Sequence, residues 1–371
     1  MNKMFFILIS FLFFSCSVSA TEIISSEKYA FTIETVVDGL EQPWSVDFLA
    51  DGRMLVTEKP GRLRIIENGR LSKAITGLPK IKAKGQGGLL DIALDPDFAN
   101  NQTIYLSYSA KGKGGIGTEV VKGKLVGNEL KETKIIFKLS PKTNTGYHFG
   151  SRLLFAKDGT LFVTLGDRGD KERAQNLNDH AGSLIRINKD GSIPEDNPFF
   201  NNPDAKPEIY TYGNRNMQGI ALHPETGDVW TVEHGPQGGD ELNLMRAGVN
   251  YGWPVITYGV NYVIGTKIGE GTEKEGLAQP IHYWVPSIAT SSLLFYSGDK
   301  FPNWKGNAFV GSLKFGQLAR LEMQGNKVIK EERLINGAVG RIREVQQGLD
   351  GYIYILTDES NGKLYRIKPV D

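Results

Sequence analysis

A tight turn followed by alternating apolar and polar positions recurs six times along this chain. The copies are DGRMLVTE from Asp51, NNQTIYLSYS from Asn100, DGTLFVTLGD from Asp158, TGDVWTVEHG from Thr226, KGNAFVGSLK from Lys305 and DGYIYILTD from Asp350. A period of two behind a turn predicts a half-buried β-strand. Several copies are preceded by another short apolar strand, as in WSVDFLA, LLDIALDPDF, RLLFAKD and GIALHPE. A third follows in GRLRIIENG, SLIRINKDG, ELNLMRAG, QLARLEMQG and KLYRIKP, with the looser VVKGKLVGN in the second copy. Helical periodicity is nearly absent.

Three or four antiparallel strands cannot bury both faces of their own sheet, and six such units arranged radially solve the problem as propeller blades. The expected fold is all-β, a six-bladed β-propeller of four-stranded antiparallel blades. The last copy runs out of chain before its fourth strand, whereas FTIETVV from Phe31 has no partner of its own. That N-terminal strand is expected to complete the final blade and close the ring. The repeats are longer than the ~40–50 residues of common propeller units, and the excess, mainly in blades three and four, is expected in loops. No Pro/Ser-rich linker or composition break divides the chain, so residues 21–371 read as one domain.

At the N-terminus, Lys3 precedes an apolar run from Met4 to Phe14 and a small-residue stretch from Ser15 to Ala20. The apolar core of about 11 residues is shorter than the ~20 of a membrane span, and Val18-Ser19-Ala20 suits signal peptidase, so residues 1–20 read as a signal peptide of a periplasmic or secreted protein. Lipid attachment at Cys16 is the competing reading, against which Phe13-Phe14-Ser15 is a poor match. Cys16 is the only cysteine, so cleavage at Ala20 leaves no thiol or disulfide chemistry. It also leaves basic and acidic residues equal in number, which offers no signal for nucleic acid or an anionic membrane.

There are five histidines. His148, in NTGYHFGSRLLF, immediately precedes a strand, where a side chain can stand at the propeller mouth and act as a general base near neutral pH; an isolated histidine is also commonly structural. His223 sits in a turn before Pro224, and His180 and His282 have uninformative neighbours. His234 opens the string HGPQGGDELNLMRAGVNYGWP, in which glycine and proline free main-chain carbonyls and Asp240 and Glu241 add carboxylates, a set of hard oxygens suited to calcium. A glycine-rich turn with solvated acids is the equal alternative. No zinc motif is present. Arg215-Asn216 in GNRNMQG, Lys314 in GSLKFG, and Arg341 and Arg343 in GRIREV come from different blades yet could share one anionic ligand, because guanidinium forks suit carboxylates. Gln86, among glycines in KGQGGLLDIAL, could approach a ligand closely.

Taken together, QGGLLDIALDP, HFGSRLLF, GNRNMQG, HGPQGGDELN with NYGWP, and GRIREV with DGYIYILTD resemble the soluble quinoprotein glucose/sorbosone dehydrogenases, in particular the bacterial periplasmic aldose sugar dehydrogenases. The resemblance spans essentially the whole mature chain. It implies pyrroloquinoline quinone (PQQ) over the propeller mouth and Ca2+ as cofactors. His148 matches the catalytic base, and Gln86 the polar residue beside the reacting centre. Arg215, Asn216, Lys314, Arg341, Arg343 and Tyr262 match cofactor contacts. Carbonyls of Gly235 and Pro236 are implied ligands of the calcium that meets the quinone, with Glu241 and Tyr251 at a second, structural ion. The implied reaction is oxidation of an aldose at its anomeric carbon to the lactone, with electrons passed to an external acceptor.

Two residues depart from the better-known glucose enzyme. Tyr147 stands where that enzyme has an aspartate before its histidine, and Arg168 aligns with a glutamine there. Both changes point to broad aldose oxidation rather than glucose specificity, and the sparsely decorated blades give dimerisation no support, so a monomer is expected. A calcium-dependent lactonase-type propeller and a non-catalytic sugar- or protein-binding propeller are the alternatives; the basic group Lys314, Arg341 and Arg343 argues against the lactonase.

Overall fold

The computed structural model describes residues 22–370; the expected signal peptide lies outside them. The chain forms six antiparallel sheets. Each begins at the axis with a short strand: Pro43–Phe48, Leu89–Leu94, Leu153–Phe155, Met217–Leu222, Thr290–Phe295 and Ile342–Gln347. The six turn-led repeats are the second strands, from Met54–Glu58 to Ile353–Thr357. Among the described residues the helical content is one turn, Phe98–Asn101, and two short 3-10 segments. No helix there is long and apolar enough to cross a membrane.

The ring closes as the unpaired N-terminal strand predicts. Ala30–Leu40 pairs antiparallel with the C-terminal strand Gly362–Pro369, with Ile33 opposite Ile367 and Thr35 opposite Tyr365. A further short strand, Ile23–Ser25, pairs outside it, so the sixth blade has five strands rather than four. Phe31 is fully buried and meets the Trp304 ring of blade five edge-on at 6.0 Å. Ends that are distant in sequence thus share one core, which also holds Phe301 stacked on Trp304 at 4.5 Å. The extra length of blade three lies in the segments 165–183 and 188–208, on either side of its third strand, and that of blade four in 245–281, between its third and fourth strands.

One side chain joins all the blades at the axis. Arg152, of blade three, is 4 % exposed. It donates to the carbonyls of Gln218 and Ser291 at 2.7 Å and of Arg343 at 3.1 Å. It also pairs with Glu344 and lies 3.5 Å from Asp91 Oδ1. Its guanidinium sits 4.0 Å from the Trp44 ring centroid. Pairing and hydrogen bonding of this kind offset the cost of burying a charge.

Antiparallel strand order dictates where chemistry collects. The segments that enter the innermost strands and those that leave the second strands emerge at the same end of every blade. Gln86, His148, Arg215, Asn216 and Arg341 are of the first kind; Lys59, Asp167, Gly235, Lys314 and Asp358 are of the second.

Candidate active site

At that end of the axis lies a cavity of about 640 Å³. Trp44, Leu90 and Phe149 supply apolar lining, and Gln86, Asn216, Gln218 and His234 supply polar groups. One side is cationic: Lys59, Lys314, Arg341 and Arg343, with Asp358 as the carboxylate among them. Arg343 pairs with Asp358 at 2.7 Å, and Arg341 lies 3.6 Å from the same oxygen. Burial, then the charges of Arg343 and Arg341, lowers the Lys59 ammonium below its usual value, with Asp358 opposing. Burial likewise lowers Arg343 despite its ion pair. This excess of desolvated positive charge fits a multiply anionic ligand.

His148 stands beside this cavity. Its Nδ1 is 2.6 Å from Asp167 Oδ1, and Asp167 Oδ2 accepts from the Trp253 indole N–H at 2.9 Å. Burial alone would raise the Asp167 carboxyl, but its hydrogen bond with His148 and the charges of His148 and Arg215 hold it below its ordinary value. A carboxylate at Nδ1 selects the tautomer with the proton there, leaving Nε2 free to accept one. The His148 main-chain N–H donates to Gln86 Oε1 at 2.7 Å, which leaves the Gln86 amide group as a free donor. The close fit depends on Gly166, where any side chain would collide with the His148 carbonyl and with Asn216 Oδ1.

Behind the large cavity is a second one of about 10 Å³, the space of a single water or ion. Its walls include Gly235, Glu241, Tyr251, Arg215 and Glu233, and His234 borders both cavities. Burial, then repulsion from Glu233, pushes the Glu241 carboxyl up to about 8, and burial raises Glu233 as well. Asn243 donates to both carboxylates at 3.1 Å, while its own Oδ1 is buried without a partner. Glu233 also accepts from Asn214 and from the main-chain N–H groups of Arg215 and Asn216, whereas Glu241 has only the Asn243 amide, and a carboxylate so placed suits a hard cation. The Tyr251 hydroxyl is engaged by the Leu244 carbonyl and the Arg246 N–H, so its main-chain carbonyl is the oxygen it has to offer. Burial, then Arg215 and Arg343, lowers His234 to about 4 against the pull of Asp240, so it is neutral near pH 7.

The structure therefore gathers Gln86, Asn216, Pro236, Tyr262, Lys314, Arg341 and Arg343 around one cavity with His148 at its edge, although Tyr262 is 60 % exposed at the rim. Arg215 lies one layer back, donating to the His234 carbonyl at 3.0 Å and facing the Trp253 ring at 5.3 Å. Arg168 does not enter the cavity; it is fully buried. Tyr147 is 61 % exposed beside His148. The remaining histidines are tied into structure: His180 to Glu208, His282 to Glu331, and His223 against Phe295. Asp167, Trp253, Lys59, Trp44 and Asp358 escape the sequence reading. Asp167, Lys59 and Asp358 share a signal that could have found them: each lies just past a second strand, at the end where the other candidates cluster.

A six-bladed β-propeller thus carries an imidazole–carboxylate pair and a cationic pocket at the mouth of its axis. Residues 40–366 match the model of the Glucose / Sorbosone dehydrogenase family, and the chain belongs to that family of sugar-oxidising oxidoreductases. It is 44 % identical over 344 residues to the aldose sugar dehydrogenase YliI of Escherichia coli, covering 91 % of this chain and 92 % of that one. The crystal structure of the soluble aldose sugar dehydrogenase from E. coli superposes with a TM-score of 0.89 at 43 % identity, covering 92 % of this chain and all of that one. Quinoprotein glucose dehydrogenase B of Acinetobacter calcoaceticus is 30 % identical over 316 residues, 76 % of this chain and 64 % of that one.

Proposed function

We propose that this protein is an exported enzyme that oxidises aldose sugars at the anomeric carbon to lactones, with pyrroloquinoline quinone and calcium as cofactors. The observation that carries the reading is the His148–Asp167 pair beside a cavity walled by Lys59, Lys314, Arg341 and Arg343. The likeness to a quinoprotein and to an aldose sugar dehydrogenase supports it. When bound, the quinone supplies a carbonyl carbon that takes up hydride, and calcium supplies Lewis-acid polarisation of that carbonyl.

The chain's own residues do the rest. His148 Nε2 takes the proton of the anomeric hydroxyl as the anomeric C–H bond gives up its hydrogen with both electrons, and the carbon–oxygen double bond of the lactone forms. Asp167 holds the imidazole in the receptive tautomer and stabilises the imidazolium that results. The Gln86 amide, free to donate, stabilises negative charge developing on oxygen. Lys59, Lys314, Arg341 and Arg343 hold the cofactor's carboxylates, with Asn216 and Tyr262 bordering the same space. Carbonyls of Gly235 and Pro236 are the proposed ligands of the ion that meets the quinone, and Glu241 with the Tyr251 carbonyl those of a second ion. Electrons then leave to an external acceptor.

The test is reconstitution of chelated protein with quinone and calcium, followed by dye reduction across a panel of aldoses. Sugar-dependent reduction that requires both additions is the expected result; a protein that binds no quinone overturns the reading.

A further inference from the structure

Arg168 is buried completely, yet no carboxylate among the described residues pairs with it. Buried charges ordinarily have such a partner because desolvation is costly. Its guanidinium is instead met by main-chain carbonyls and an aromatic face, while its Nε is buried without a partner. Nη1 donates to the Tyr147 carbonyl and Nη2 to the Thr145 carbonyl at 3.0 Å. The guanidinium carbon lies 3.5 Å from the Phe149 ring centroid. In return, the Thr145 hydroxyl donates to the Arg168 carbonyl at 2.8 Å.

One peptide unit among these is held from both sides. The Tyr147–His148 peptide is gripped through its carbonyl by Arg168 and through its N–H by Gln86 Oε1. His148 itself has φ +50°, and Arg168 has φ +62°. Left-handed backbone is uncommon outside glycine and persists where surroundings over-determine it. The residue beside Arg168 is Asp167, the carboxylate that holds His148 Nδ1. A single short segment therefore fixes both the imidazole and the backbone that carries it.

We propose that Arg168 is a positioning residue for His148, setting where the imidazole stands by clamping the carbonyls on its N-terminal side. The role rests on the proposed function only in taking His148 as the base. A lysine could keep the charge but cannot serve two carbonyls and stack flat on Phe149, because it lacks the planar fork.

The experiment compares Arg168→Lys, Arg168→Gln and the milder Thr145→Val with wild type in two assays. In the quinone- and calcium-reconstituted enzyme, both Arg168 variants lose kcat by roughly 10²-fold, the scale of a displaced catalytic group, with quinone affinity and sugar KM changed little. In the apo-protein labelled with ¹⁵N-histidine, the His148 Nδ1–H resonance, assigned by its absence in His148→Gln, broadens or moves. Thr145→Val, which keeps the guanidinium, shows the same changes at smaller size and serves if the arginine variants do not fold. Full kcat in Arg168→Lys, or an unmoved His148 resonance in folded Arg168 or Thr145 variants, overturns the proposal. Should wild type oxidise no sugar, the functional reading fails while the resonance still decides the role of Arg168.

Discussion

His148 Nδ1 lies 2.6 Å from Asp167 Oδ1, joining the entry to the innermost strand of blade three with the exit of that blade's second strand. Because the two strands are neighbours in an antiparallel sheet, the hydrogen-bonded ladder itself sets the spacing of imidazole and carboxylate.

Replacing His148 with alanine is expected to lower sugar oxidation by ~10²–10⁴-fold, the range for a general base, while quinone binding persists. Asp167→Asn keeps the shape but withdraws the charge that orients the ring, and is expected to lower kcat more than it raises KM. Steady-state kinetics with a dye acceptor, beside a quinone titration, checks both.

The cationic wall should be read out in affinity rather than turnover. Lys59→Ala, Lys314→Ala and Arg341→Ala are each expected to weaken quinone binding by roughly 10-fold or more, since a hydrogen bond to a charged group contributes ~1.5–3 kcal/mol. Fluorescence titration of the apo-protein measures this, and unchanged affinity in Lys59→Ala removes that residue from the site.

Calcium should stabilise the chelated protein and do so increasingly as pH rises. The ligand must be deprotonated to bind a cation, and Glu241 releases its proton only near pH 8. The expected result is a larger calcium-induced rise in Tm at pH 8.5 than at pH 6, and a smaller rise in Glu241→Gln. At 100 times Kd a bound ion contributes ~2.7 kcal/mol.

Stability without ligands should decline as pH rises from the ordinary carboxyl range toward neutrality. Burial, with Asp91 adding repulsion against the pull of Arg152, pushes Glu344 up to about 7. The folded state then holds a proton that the unfolded chain loses near pH ~4.3, so folding is favoured at the lower pH and weakens through the window up to about 7, by at most ~1.4 kcal/mol per pH unit. Denaturant titrations at pH 5 and pH 8 should differ in wild type, and Glu344→Gln should narrow the difference.

The architecture was legible from the order of residues alone. Period-two alternation behind six turns is a local property, because successive side chains on a strand must point to opposite faces. The unpaired FTIETVV and the truncated last repeat carried ring closure for the same reason: each strand edge needs a partner. Residues adjoining strand ends, such as His148, Gln86 and Arg341, were legible as candidates because a strand terminus locates a side chain.

Relations between blades, and between strands of one blade, emerge only on folding. That Asp167 meets His148, that Lys59 joins Arg341 and Arg343, and that Glu233 faces Glu241 depend on radial packing and register. Arg168 marks the limit: the resemblance to the glucose enzyme associates its position with the sugar pocket, whereas its side chain turns inward to the carbonyls of Thr145 and Tyr147. The direction a side chain takes at a loop is set by which unpaired main-chain groups the fold brings within reach, and those groups come from elsewhere in the chain.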